Sequence, residues 1–153
     1  MSTIEKSIEV EAPVSTVYNQ YTQFEEFPQF MDGVEQVTQL EDDRLHWVAN
    51  VGGQKKEWYA RITEQVPDER IAWTSEGGTF TSGVVTFHRL DENRTRAMVQ
   101  MEYDPESIVE EVGDKLGFVT RRVQGDLDRF KEFVESRGTE TGAWRGTIAR
   151  PVP

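Results

Sequence analysis

The chain has 153 residues, no cysteine, two histidines and a net charge of -11. That length suits one domain with its own core, and the lack of cysteine excludes disulfides and thiolate chemistry and leaves little basis for a zinc site. The negative charge sets the molecule against nucleic acid and anionic membrane surfaces, which repel it.

Residues 3–10 alternate, with Ile4, Ile8 and Val10 on one side and Glu5, Ser7 and Glu9 on the other, which predicts a half-buried strand. Pro13 fits the first position of a helix, where its missing N–H is harmless. Val14, Val17, Tyr18 and Tyr21 follow at helical spacing. Phe24, Phe27, Phe30 and Met31 continue in steps of three and four, but Pro28 interrupts them, so a second short helix is expected near 23–29. So many bulky apolar groups in one short stretch either close a core or cover a pocket.

From residue 34 the period becomes two. Strands are expected at 34–40, 44–51 and 54–66, with a turn at Asp42-Asp43 and a Gly52-Gly53 hairpin. If Val51 faces Gln54, Trp47 falls opposite Trp58 and Leu45 opposite Ala60, and opposed aromatics stabilise such a pair. A turn at Pro67-Asp68-Glu69 leads to a strand at 70–75 with Ile71 and Trp73 inward. After Gly77-Gly78 come strands at 80–88 and 94–103. One face of this pair carries Gly83, Val85 and Phe87 with Thr95, Ala97, Val99, Met101 and Tyr103. Seven strands result.

The last element is a long helix. Ser107 followed by Glu110 is a capping-box pattern, and Asp104, Glu106, Glu110 and Glu111 complement the helix dipole. Val112, Leu116, Val119, Val123, Leu127, Phe130 and Val134 form a single apolar stripe, and Gly138 ends it. Gly113, Gly117 and Gly125 are poor helix formers, at about 1 kcal/mol each, and loosen its first third.

The division expected is a single domain over 1–137 and a tail over 138–153. The tail, with Trp144 and Ile148 among Gly, Thr and Arg, has the composition of an unstructured end, in which the single tryptophan can dock on the domain or on a neighbouring copy. Self-association is open through this tail. The first residues hold no apolar run of signal-peptide length and nothing later could span a bilayer, so no membrane insertion is expected and the expected setting is cytoplasmic.

An antiparallel sheet with one apolar face needs a cover, and the long helix carries the matching stripe. The order of elements, the opening IEVEAPVSTVYNQYTQFEEFPQFM, the strand IAWTS after PDER, and YDP before the last helix resemble the polyketide cyclase/dehydrase group of the START-like (SRPBCC) superfamily over about residues 3–137. The resemblance implies an α+β helix-grip fold: a seven-stranded antiparallel sheet curled around a long C-terminal helix, with two short helices between strands 1 and 2. It also implies a deep apolar pocket between sheet and helix, used for lipids, polyketides or quinone-like molecules. It implies no shared catalytic residues. No cofactor is expected.

Pocket walls are therefore expected from Trp47, Trp58, Ala60, Ile62, Trp73, Val85, Phe87, Val99, Met101, Leu116, Val119 and Val123. A lid is expected from Tyr21, Phe24, Phe27, Phe30 and Met31. Strict alternation from Trp58 turns Glu64 inward, and a carboxylate in an apolar pocket can act as acid or base. A twist or bulge there would leave it solvated. His46 and His88 fall on the outer face, outside any metal or triad pattern. Ser75, Thr95 and Tyr103 are the other inward polar groups. Their scarcity favours binding of a hydrophobic molecule over a cyclase, aromatase or dehydratase reaction. The remaining alternative, a protein-interaction role with a filled interior, predicts little internal void.

Overall fold

The computed structural model describes residues 2–51, 53–76, 81–104 and 115–148; for Val51, Lys115 and Leu116 it describes the backbone alone. The expected cap at Ser107 and Glu110, the stripe residue Val112, the strand start at Phe80 and the turn at Gly77-Gly78 lie outside the described residues.

The chain order is β1 (Ser2–Val10), α1 (Val14–Tyr21), a short 3-10 helix (Phe24–Gln29), β2 (Val34–Glu41), β3 (Arg44–Val51), β4 (Gln54–Val66), β5 (Arg70–Glu76), β6 (Thr81–Asp91), β7 (Arg94–Tyr103) and α2 (Lys115–Arg137). The seven strands form one antiparallel sheet in the order β1-β7-β6-β5-β4-β3-β2. From β2 to β7 consecutive strands are sheet neighbours, and β1 closes against the last strand rather than the second. The two small helices span the gap that this leaves in the chain.

The registers follow the alternation. Val51 pairs with Gln54, Trp47 with Trp58 and Leu45 with Ala60. Val85 pairs with Val99 and Phe87 with Ala97, so the inward face is continuous across β6 and β7. A register shift between Ile62 and Glu64 interrupts β4. The extra residue reverses which side chains face the core beyond that point. Gln65 is wholly buried, whereas Glu64 turns to Arg70.

One main cluster holds the domain together. It contains Val10, Val17 and Tyr18, the rings of Phe24, Phe27 and Phe30, strand residues such as Leu45, Ile62, Ile71 and Val85, and Leu127, Phe130 and Val134 of α2. Burying one such side chain is worth roughly 1.5–3 kcal/mol. The α2 stripe thus meets the apolar face of the sheet as expected, and the helix closes at Gly138, whose φ of +75° suits glycine.

The tail is docked over its described length. Ile148 exchanges backbone hydrogen bonds of 2.8 and 2.9 Å with Gln65, beyond the end of β3. Gln20 donates to the Thr141 hydroxyl at 3.0 Å and accepts the Thr141 N–H at 2.9 Å. The Trp144 N–H donates to the Thr22 hydroxyl, and Arg145 bridges Asn19 and Asp68. Composition alone pointed to an unstructured end; these fixed polar partners on α1 and β4 are what order it.

Candidate functional site

A cavity of about 220 Å³ lies between the sheet and α2. Its floor comes from alternate residues of successive strands: Leu45 and Trp47 of β3, Trp58, Ala60 and Ile62 of β4, and Ile71 and Trp73 of β5. Thr81, Val99 and Met101 continue it across β6 and β7. Val123, Asp126, Leu127 and Phe130 supply the helical wall.

The remaining wall is Tyr21, Phe24, Phe27, Phe30 and Met31. These rings are linked to one another and to both other walls. Phe27 lies 5.4 Å from Phe24, 5.5 Å from Phe30 and 5.6 Å from Trp47. Phe30 and Tyr21 reach Phe130 at 5.1 and 5.5 Å. α1 ends at Tyr21, and the 3-10 helix that follows, with Pro28 inside it, projects these rings from a short segment into one space.

Residues 30–32 are tied to α2 by three of its side chains. Arg129 Nε donates to the Phe30 carbonyl at 2.9 Å, Arg122 Nη1 donates to the Asp32 carbonyl at 2.8 Å, and the Asp32 N–H donates to Asp126 Oδ1 at 3.0 Å. Arg129 Nη2 also donates to Asp126 Oδ1, at 2.7 Å.

Among the described residues Asp126 is the one carboxylate of the lining. Burial pushes it up from 3.8 to about 6, against the Asp32 N–H and the positive charges of Arg129 and Arg122. Burial also raises the Tyr21 phenol, and the charge of Asp126 adds to this, so Tyr21 stays protonated. In the sequence the apolar stripe of α2 conceals Asp126. Yet it sits three residues after Val123 and one before Leu127, inside that stripe, and a charge at such a position is the signal.

Most expected wall residues do line the cavity: Trp47, Trp58, Ala60, Ile62, Trp73, Val99, Met101 and Val123, with all five expected lid residues. Leu45, Ile71, Thr81, Leu127 and Phe130 join them. Three described residues lie elsewhere. Phe87 is covered by α1, with its ring 5.3 Å from Tyr18 and 5.9 Å from Tyr21. Val85 is wholly buried in the core beside it. Val119 lies one turn before Val123 on α2 and packs with Phe118 on Ile4 and Tyr103. The Leu116 side chain lies outside the described residues.

Glu64 is not in the lining. The β4 bulge carries it off the cavity face, and both its oxygens accept hydrogen bonds from Arg70, at 2.9 and 3.2 Å. Thr95 donates to the Ala12 carbonyl, Ser75 accepts the Thr81 N–H, and neither these two nor Tyr103 lines the cavity. His46 stands over Tyr59 and near Glu57 on the outer face, and His88 contacts Thr86 there.

Residues 10–132 match the family model described as polyketide cyclase / dehydrase and lipid transport. The chain belongs to this family. An uncharacterized 17.2 kDa protein of the melC2-rnhH intergenic region of Streptomyces lincolnensis is 60% identical over 149 residues, covering 97% of this chain and 99% of its own. Among solved structures, the Zhui aromatase/cyclase from Streptomyces sp. R1128 superposes with a TM-score of 0.76 at 19% identity, covering 94% of this chain and 99% of that one. A START superfamily protein from Mycobacterium smegmatis gives 0.69 at 15% identity, covering 88% and 95%. At these identities the structural likeness speaks for the helix-grip fold. Among the described residues no helix is long and apolar enough to cross a membrane.

Proposed function

We propose that this family member binds a compact, flat, apolar molecule in the cavity between the sheet and α2. The observation that carries the reading is the cavity itself: a real void of about 220 Å³, walled by aromatic and aliphatic side chains, where a filled core would leave none. An apolar cavity of roughly 150 Å³ takes one benzene ring. The space here therefore suits a two-ring molecule or a short acyl chain, with Trp47 and Trp58 offering flat contact area. The void also speaks against a purely structural or interaction role with a filled interior.

Native mass spectrometry of the protein purified from its own host, with extraction of any retained molecule, tests the reading. A retained apolar compound of this size is expected, as is a rise in melting temperature with tetralin. Neither a retained mass nor a melting shift at saturating tetralin would remove the reading.

Chemistry of the cyclase or dehydratase type is the second reading. Asp126 and Tyr21 in one apolar lining favour it, because a carboxyl titrating near neutrality is suited to moving protons. The likeness in fold to an aromatase/cyclase adds to it. Product formation from a poly-β-ketone substrate, compared between wild type and Asp126→Asn, tests this; equal product from both would exclude Asp126 as the proton carrier.

A further inference from the structure

We propose that the cavity takes a two-ring ketone, and that Asp126 binds its carbonyl oxygen as a neutral carboxyl donating from Oδ2. The proposal rests on the reading of the cavity as a binding site and adds the chemistry of its occupant.

The two hydrogen bonds of Asp126, from the Asp32 N–H and from Arg129, both end on Oδ1. Oδ2 is thus the atom left for whatever fills the space. The titratable and charged groups around it are Tyr21 of α1, Asp32 through its backbone N–H, and Arg122 and Arg129 of α2. Among the described residues the facing strands bring no charge to the lining; their polar groups there are the Thr81 hydroxyl and the indole N–H groups of Trp47, Trp58 and Trp73, of which Trp47 Nε1 is buried without a partner. Both arginines are already bonded to the backbone of residues 30–32, and Arg129 to Asp126 as well, so neither is left to offer an anionic ligand.

An apolar ring enclosed against Asp126 strips the remaining water from Oδ2. Loss of water disfavours the charged form. The carboxyl titrates near 6 for this same reason before any ligand arrives. The complex therefore takes up a proton at neutral pH, and a neutral carboxyl has a hydroxyl to donate. A ring ketone supplies the acceptor. A hydrocarbon of the same shape leaves the O–H unpaired in an apolar site, which weakens binding.

1-Tetralone and its parent hydrocarbon tetralin are matched in shape and separate the two ideas. Both are titrated by tryptophan fluorescence into wild type, Asp126→Asn and Asp126→Leu at pH 5 and pH 9, with each fold checked by thermal melting. Wild type should bind tetralone roughly three- to tenfold tighter than tetralin at pH 5, and the preference should vanish at pH 9. Asp126→Asn, whose amide donates at either pH, should keep the preference at both, and Asp126→Leu should lack it at both. Should the leucine variant fail to fold, wild type and Asp126→Asn decide. Calorimetry at pH 7 in buffers of different ionisation enthalpy should register proton uptake with tetralone. Equal affinity of wild type for the two compounds at pH 5, or a preference unchanged at pH 9, overturns the proposal and leaves the binding reading standing. Failure of both compounds to bind overturns the proposal, and together with the absence of any retained apolar mass it overturns the binding reading too.

Discussion

The indoles of Trp47 and Trp58 face each other across β3 and β4 with centroids 5.8 Å apart and planes within 8° of parallel. Both line the cavity, so one cross-strand pair serves the sheet and the site together. Trp58→Ala should lower stability by about 3 kcal/mol, read by urea unfolding. The same substitution should weaken tetralin binding more than tenfold. A variant that loses stability and binds as before would detach the pair from the site.

Asp126 makes the protein less stable as pH rises. Its folded value of about 6 lies above the ordinary 3.8, so between these values the native state holds a proton that the unfolded state has released. The contribution of this group to stability therefore grows as pH falls through 6 toward 4, and is lost as pH rises through 6. The gap corresponds to about 3 kcal/mol at neutral pH. Asp126→Asn should recover roughly 1–3 kcal/mol at pH 7.5 and little at pH 4, since the asparagine cannot charge. Unfolding of both proteins at the two pH values checks the sign.

Glu64→Gln should leave ligand binding as it is. Glu64 faces Arg70 rather than the cavity, and a partly exposed ion pair adds little to stability. Tetralin titration of the variant measures this, and a marked loss of affinity would put Glu64 back at the site.

Removal of residues 139–153 should destabilise the protein by roughly 2–4 kcal/mol, at about 0.5–1.5 kcal/mol for each buried hydrogen bond lost. The effect should concentrate on α1, whose Asn19, Gln20 and Thr22 hold the tail. Amide hydrogen exchange would locate it: faster exchange at the end of α1 and at Gln65, with β6 and β7 unchanged.

The sheet was legible because its turns are short and its alternation clean. With Gly52-Gly53 as the pivot, the opposition of Trp47 and Trp58 follows by counting, and the structure has that register. The stripe of α2 was equally plain at Leu127, Phe130 and Val134. Counting fails where a residue is inserted. The bulge after Ile62 leaves no mark in the residue types, so strict alternation turned Glu64 inward and Gln65 outward, the reverse of what occurs. Phe87 shows a second limit. It lies on the correct face of its strand, but which part of that face is open and which is covered by α1 depends on where a helix is set down, and no local pattern states that. The tail shows a third: its order comes from side chains more than a hundred positions away, such as Gln20 and Thr141, separated by 121 residues.

The chain of rings from Trp58 through Trp47, Phe27 and Phe30 to Phe130 has a kinetic corollary. No member can swing aside without vacating the contact of the next, and the three tethers from α2 hold the backbone beneath them. The doorway must therefore yield as one body. Guests of quite different affinity would then enter at nearly the same tempo, dictated by the host's own breathing, and differ in how long they stay.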